Sequence, residues 1–191
     1  VELARQAGGI VLPPLFLGPD RREMIDGKMY YGMDMSDTVD NQPCQLDGSA
    51  YWIDDESFVQ LLELILSHLV RAGFKIVVAH GHGPSNLAFA AHIDEWSKQL
   101  DLKLFTCWRD EETDGMGVQT DHAAANETSL VMALRPELVQ MGNLSADLND
   151  KPVAVGGKDP RTDASRPTGQ QIVRQHVDRM TKMLRQALAA T

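Results

Sequence analysis

The sequence predicts an α/β fold in which a parallel sheet is covered on both faces by helices. Three observations carry this. Residues 74–79, Phe74-Lys75-Ile76-Val77-Val78-Ala79, form a short apolar run rich in β-branched side chains, the pattern of a buried strand. That run passes through His80-Gly81-His82-Gly83-Pro84-Ser85-Asn86 into residues 87–100, where Leu87, Phe89, Ala90, Ile93 and Trp96 supply the apolar positions of a helix. A second strand pattern follows at 102–108, so strand and helix alternate as a parallel sheet requires. Open α/β sheets bind ligands outside the carboxyl ends of their strands. Two imidazoles in such a turn make it the candidate site.

The remaining elements follow in order. Residues 1–7 read as the end of a helix stopped by Gly8-Gly9, and Ile10-Val11-Leu12 as a short buried strand ended by Pro13-Pro14. A doubly wound fold is expected to begin with a strand, so an opening half-helix predicts a preceding element that this chain lacks. Residues 16–55 show little periodicity; Gly18-Pro19-Asp20 reads as a turn, and the whole stretch as a functional loop, lid or oligomer contact. Asp34, Asp37 and Asp40 lack the glycine and terminal glutamate of a calcium loop and read as solvated.

Residues 54–73 are the clearest helix. Asp54 or Asp55 caps it, Phe58, Leu61, Leu62, Leu64, Ile65, Leu69 and Val70 form its apolar face, and Gly73 ends it. After the second strand, residues 109–120 are polar and glycine-bearing. Asn126 is then placed to cap a helix over about 127–134, which Pro136 interrupts. Residues 152–157 predict a weak last strand, and 170–190 a closing amphipathic helix.

Composition narrows the function. With 191 residues the chain is most economically one domain. Its 18 Lys and Arg against 27 Asp and Glu give a net charge of −9, which disfavours nucleic acid and anionic membranes as partners. No apolar run approaches the roughly 18–20 residues of a membrane span, and Cys44 and Cys107 make no disulfide framework, so a cytoplasmic location is expected.

His82, in a strand-to-helix turn, and Glu127, opening a helix after another strand, are placed for one sheet edge. Histidine and carboxylate together are a common ligand pair for zinc, manganese or iron. The plainer alternative makes His82 a cap and Glu127 a carboxylate favoured at a helix N-terminus. His122 reads either as a general acid or base, tuned by Asp121 or Asp114, or as an ordinary loop histidine. Trp108, ending its strand, floors a pocket or packs in the core. No Walker A loop and no Gly-x-Ser-x-Gly elbow is present.

At this point the motifs become specific. Gly81-His82-Gly83-Pro84-Ser85-Asn86 resembles, with one residue inserted, the Gly-His-Gly-Gly-Asn signature of the creatininase (creatinine amidohydrolase) family. Asp121-His122-Ala123 followed by Glu127-Thr128-Ser129 is similar to its Asp-x-His-Ala-Gly-x-x-Glu-Thr-Ser block, with Ala124 for the glycine and the aspartate one residue closer. Leu130 to Val139 continues the family's run. Gly157-Lys158-Asp159-Pro160-Arg161 with Ala164, Ser165 and Gly169, and Val11-Leu12-Pro13-Pro14-Leu15 with Gly18, resemble two further blocks.

The resemblance implies a three-layer αβα sandwich on a mainly parallel sheet, a binuclear zinc or manganese site, a hexameric or other homo-oligomeric assembly, and hydrolysis of a C–N bond in a small-molecule cyclic or linear amide. It assigns His82 to one metal and Glu127 to the other, with His122 as the catalytic proton shuttle. It places Gly81 and Gly83 in the substrate pocket, and sets Asp47-Gly48-Ser49 where the family has a Gly-Thr segment. Ser49 and Trp108 complete the expected substrate contacts. Pro84 stands where creatininase carries a glutamate, which points away from creatinine itself. The family's Glu-x-His-Gly-x-His-Leu-Pro-x-x-x-Asp segment has no counterpart here, so the expectation is a single domain over 1–191 whose first strand and metal loop come from a missing N-terminal segment or a second chain. The competing expectations are a non-catalytic subunit or binding module, and a sugar or nucleotide binder using the loop glycines.

Overall fold

The computed structural model describes residues 1–35, 45, 50–107 and 120–190. The chain divides into two compact units, one of residues 1–35, 43–107 and 180–191, the other of 36–42 and 108–179.

The first unit opens with helix α1 (Glu2–Ala7), which Gly8 ends at φ 80°. Residues 10–12 join no strand: Ile10, Val11 and Leu12 are 70%, 56% and 49% exposed, so the expected strand there does not form. An apolar run becomes a strand only when a neighbour accepts its backbone bonds. The supposedly irregular stretch instead contains an antiparallel hairpin, β1 (Arg22–Ile25) and β2 (Lys28–Tyr31), turning at Asp26 and Gly27 with φ 49° and 80°. Two positive φ values in succession are what Asp-Gly provides in a two-residue hairpin.

Helix α2 (Asp55–Arg71) starts where its cap predicts. The Asp54 carboxylate accepts from the Ser57 N–H at 2.9 Å and the Ser57 hydroxyl at 2.7 Å, and these bonds hold its pKa below the usual carboxylate range. Strand β3 (Ile76–Ala79) pairs in parallel with β4 (Lys103–Thr106), Ile76 opposite Lys103 and Ala79 opposite Thr106, and α3 (Gly83–Leu100) makes the crossover. Leu66, Phe89, Trp96, Leu102 and Leu104 are buried together as this unit's core. Trp96 meets Phe89 edge-on at 5.7 Å and carries His92 stacked at 4.8 Å, while its indole N–H donates to Glu63 at 3.1 Å. His92 is thus a packing residue. Leu64 and Leu87, expected inside, face solvent.

The second unit holds α4 (Ala125–Leu134), α5 (Pro160–Asp163) and the larger part of α6 (Arg166–Ala189), whose residues from Met180 onward belong to the first unit. Ser129 is fully buried: its hydroxyl donates to the Ala125 carbonyl and accepts from the Ser165 N–H at 2.9 Å. Gly169 lies so close that a Cβ there would sit 1.8 Å from the Ser129 carbonyl oxygen. The Glu127-Thr128-Ser129 block and the Ala164-Ser165…Gly169 block are therefore two halves of one helix contact. Residues 152–155 form no strand; the segment makes a single antiparallel bridge between Gly156 and His122. Arg161 closes the loop before α5, donating to the carbonyls of Ser145 and Asp147 at 2.8 and 2.9 Å and to Asp159 at 2.7 Å. No helix among the described residues is long and apolar enough to cross a membrane.

Candidate active site

The 80–86 turn is shaped by contacts on both sides. Its helix begins when the Asn86 N–H meets the His82 carbonyl at 2.9 Å, and the buried Asn86 amide donates back to the Gly81 carbonyl. Gly18 packs against it, with no room for a Cβ beside the Ser85 hydroxyl at 2.5 Å. Gly18 is held in turn by backbone bonds to Tyr51 and Ile53 at 2.8 and 3.2 Å. Gly81 and Gly83 have ordinary φ values, so the turn does not demand glycine there; a Cβ at Gly83 would enter open space.

His82 caps α3 with its backbone only, and its ring turns to Asp20: Nε2 lies 3.2 Å from the Asp20 carboxylate. The Asp20 side chain is 12% exposed and the His82 side chain 49%, so the carboxylate backs an imidazole that solvent reaches. Nδ1 has no hydrogen-bond partner among the described residues. His80, directly after β3, is exposed to solvent on one side, and desolvation by the protein around it pushes its pKa below the ordinary imidazole value.

In the second unit, His122 is exposed, with its backbone fixed by reciprocal bonds to Gly156 at 2.9 and 2.8 Å. Its imidazole makes no hydrogen bond among the described residues. The Asp121 carboxylate faces the start of α4 and accepts from the N–H groups of Asn126 at 2.7 Å and Glu127 at 3.1 Å. Asn126 therefore lies inside the first turn rather than at the cap: the N-cap position is Ala124, and Asp121 satisfies the two N–H groups from further upstream. Glu127 reaches back from the first turn, Oε2 accepting the Ala123 N–H at 2.6 Å, and Oε1 has no partner among the described residues. Gly157, at φ 150°, lies against this turn: a Cβ there would fall 2.8 Å from the Ala124 Cβ and 2.9 Å from the Asp121 Cβ.

Residues 28–184 match the profile of the family described as creatinine amidohydrolase. The chain belongs to the creatininase family. Among solved structures, creatininase itself superposes with a TM-score of 0.64 at 18% identity, covering 97% of this chain and 78% of that one. A mutant creatininase complexed with creatine gives 0.66 at 19% identity over 97% and 79%, and a manganese creatininase 0.64 at 18% over 97% and 79%. At such identities these likenesses carry the fold, which is the α/β creatininase fold. No curated protein matches at the level of sequence.

Of the residues that the creatininase motifs single out, His82 and the two glycines lie in the first unit, His122 and Glu127 in the second, and Ser49 and Trp108 fall outside the described residues. Asp114 also falls outside them. Asp20 escaped the sequence reading, which saw only a turn. Its one signal is the Gly18-Pro19-Asp20 position beside a family block. Imidazole nitrogen and carboxylate oxygen are donors that zinc and manganese accept, so the donor types fit a divalent cation. Among the described residues no three of His, Cys, Asp or Glu converge, so a complete coordination sphere needs further donors.

Proposed function

We propose that this chain is a metal-dependent amidohydrolase that cleaves a C–N bond of a small cyclic or linear amide other than creatinine, outside peptide bonds. The observation that carries the reading is the His82 turn: within a matched family profile, an accessible imidazole with an unengaged Nδ1 stands where a parallel strand hands over to a helix. His82 and Glu127 each serve as a ligand to zinc or manganese, as the family motifs imply, with further ligands supplied from outside the described residues. When bound, such a cation polarises a carbonyl oxygen and lowers the pKa of water. Glu127 offers Oε1, while its Oε2 stays fixed by the Ala123 N–H. His122 takes the proton of the attacking water on its imidazole and returns it to the leaving nitrogen. Gly83 leaves open space for the substrate, Gly81 lines the pocket beside Ser85, and Pro84 replaces a carboxylate that creatininase carries.

One observation favours a second reading, a non-catalytic relative. Asp121 and Glu127 between them satisfy three backbone N–H groups around the start of α4, a complete structural task without metal. Elemental analysis of the purified protein separates the two. Bound zinc or manganese, lost by at least one equivalent in His82→Ala and again in Glu127→Gln, is the expected result. Native protein free of metal, or variants with undiminished content, would overturn the amidohydrolase reading.

A further inference from the structure

Asp20 is held more firmly than a turn residue needs to be. Its Oδ1 accepts the Arg21 N–H at 2.8 Å, its Oδ2 takes the Tyr51 hydroxyl at 3.3 Å, and its carbonyl accepts the Trp52 indole N–H at 2.9 Å. Trp52 is packed in turn against Tyr31, with ring centroids 4.8 Å apart, and beneath the Arg22 guanidinium at 5.1 Å. Gly32, at φ 48°, makes room for this arrangement: a Cβ there would fall 1.9 Å from the Tyr51 hydroxyl and 2.4 Å from Asp20 Oδ2. The hairpin, residues 51–52 and the 18–20 turn thus converge to aim one carboxylate oxygen at His82 Nε2, 3.2 Å away.

We infer that Asp20 is the positioning residue for His82. A carboxylate accepts and cannot donate, so its bond to the ring places the imidazole proton on Nε2 and leaves the Nδ1 lone pair free. Nδ1 is therefore the coordinating nitrogen, and Asp20 is the outer partner that fixes its tautomer and ring orientation. This rests on the proposal that His82 is a metal ligand. It adds which nitrogen binds and which residue 62 positions away decides that.

Two measurements on the full chain test it. In metal-free protein at about pH 8, where an ordinary imidazole is neutral, nitrogen NMR reads the His82 tautomer directly. The Nε2–H form is expected to dominate, and to give way to a mixture in Asp20→Ala. A wild-type His82 protonated on Nδ1 overturns the inference, and this reading stands even where the variant fails to fold. In the second measurement Zn²⁺ is titrated against a chelator. Asp20→Ala is expected to bind roughly 10–100-fold more weakly at unchanged stoichiometry. Unchanged affinity overturns the inference, and so does loss of a whole equivalent, which makes Asp20 a ligand. His82→Ala distinguishes the two levels. If it loses metal while Asp20→Ala keeps wild-type affinity, only the positioning role fails; if it binds as wild type does, the metal reading itself fails and this inference with it.

Discussion

Replacing His122 by alanine is expected to lower turnover by roughly 10²–10⁴-fold while metal content stays at the wild-type level. The local structure makes this a test of chemistry rather than of folding. His122 is held through its backbone, by the paired bonds to Gly156, and its side chain is exposed and makes no hydrogen bond among the described residues. Alanine keeps that backbone and leaves no buried cavity. The adjacent carboxylate of Asp121 is committed to the N–H groups of Asn126 and Glu127, so the start of α4 survives the substitution. The measurement is steady-state turnover of a panel of small cyclic and linear amides, beside elemental analysis of the same samples. Partial recovery of turnover by added imidazole is expected of a missing proton shuttle. Loss of metal would make His122 a ligand, and undiminished turnover would leave it an ordinary loop residue.

The second large effect is on stability. Gly169→Ala is expected to destabilise the protein by about 3 kcal/mol, the upper end of what forcing a methyl group into a packed contact costs. The added Cβ would lie 1.8 Å from the Ser129 carbonyl oxygen, 2.4 Å from its carbon and 2.9 Å from the Ala133 Cβ. Two of those three atoms are backbone, so no rotamer change relieves the clash; α6 must move away from α4. That movement also strains the bond from the Ser165 N–H to the buried Ser129 hydroxyl, worth about 1 kcal/mol. Against this, alanine exceeds glycine in helix propensity by only about 1 kcal/mol. Gly142→Ala is the control, since a Cβ at Gly142 meets nothing within 4 Å. Urea unfolding followed by circular dichroism reads both. A Gly169→Ala variant as stable as wild type would show that the α4–α6 contact is looser than the structure has it.

The sequence reading succeeded where the signal is local and repeated. Helix α2 was legible from its cap and its apolar spacing, and it begins one residue after Asp54. Strands β3 and β4 were legible as short β-branched or alternating runs, helix α3 from its apolar spacing, and α4 from the proline that ends it. The family blocks were legible as motifs, and the profile match over 28–184 bears out the membership they implied. It failed where an element depends on a partner. Ile10-Val11-Leu12 has the composition of a strand but no neighbour to bond with among the described residues. The hairpin at 22–31 was passed over because its four-residue strands mix methionine, tyrosine and charge. Asp26-Gly27 was the available clue, since that pair tolerates two positive φ values.

The sequence by itself determined the α/β class, the positions of the main helices and the family, and it named His82, His122 and Glu127 as candidates. Each of these rests on residue types at fixed spacing, information a single chain segment carries alone. The tertiary structure decided the rest. It brought Asp20 to His82 across 62 positions, set Asp121 facing the start of α4, and made Ser129, Ser165 and Gly169 one buried contact. A hydrogen bond reaches only about 3 Å and is direction-dependent, so which groups meet is settled by how distant segments pack, and no local spacing encodes it.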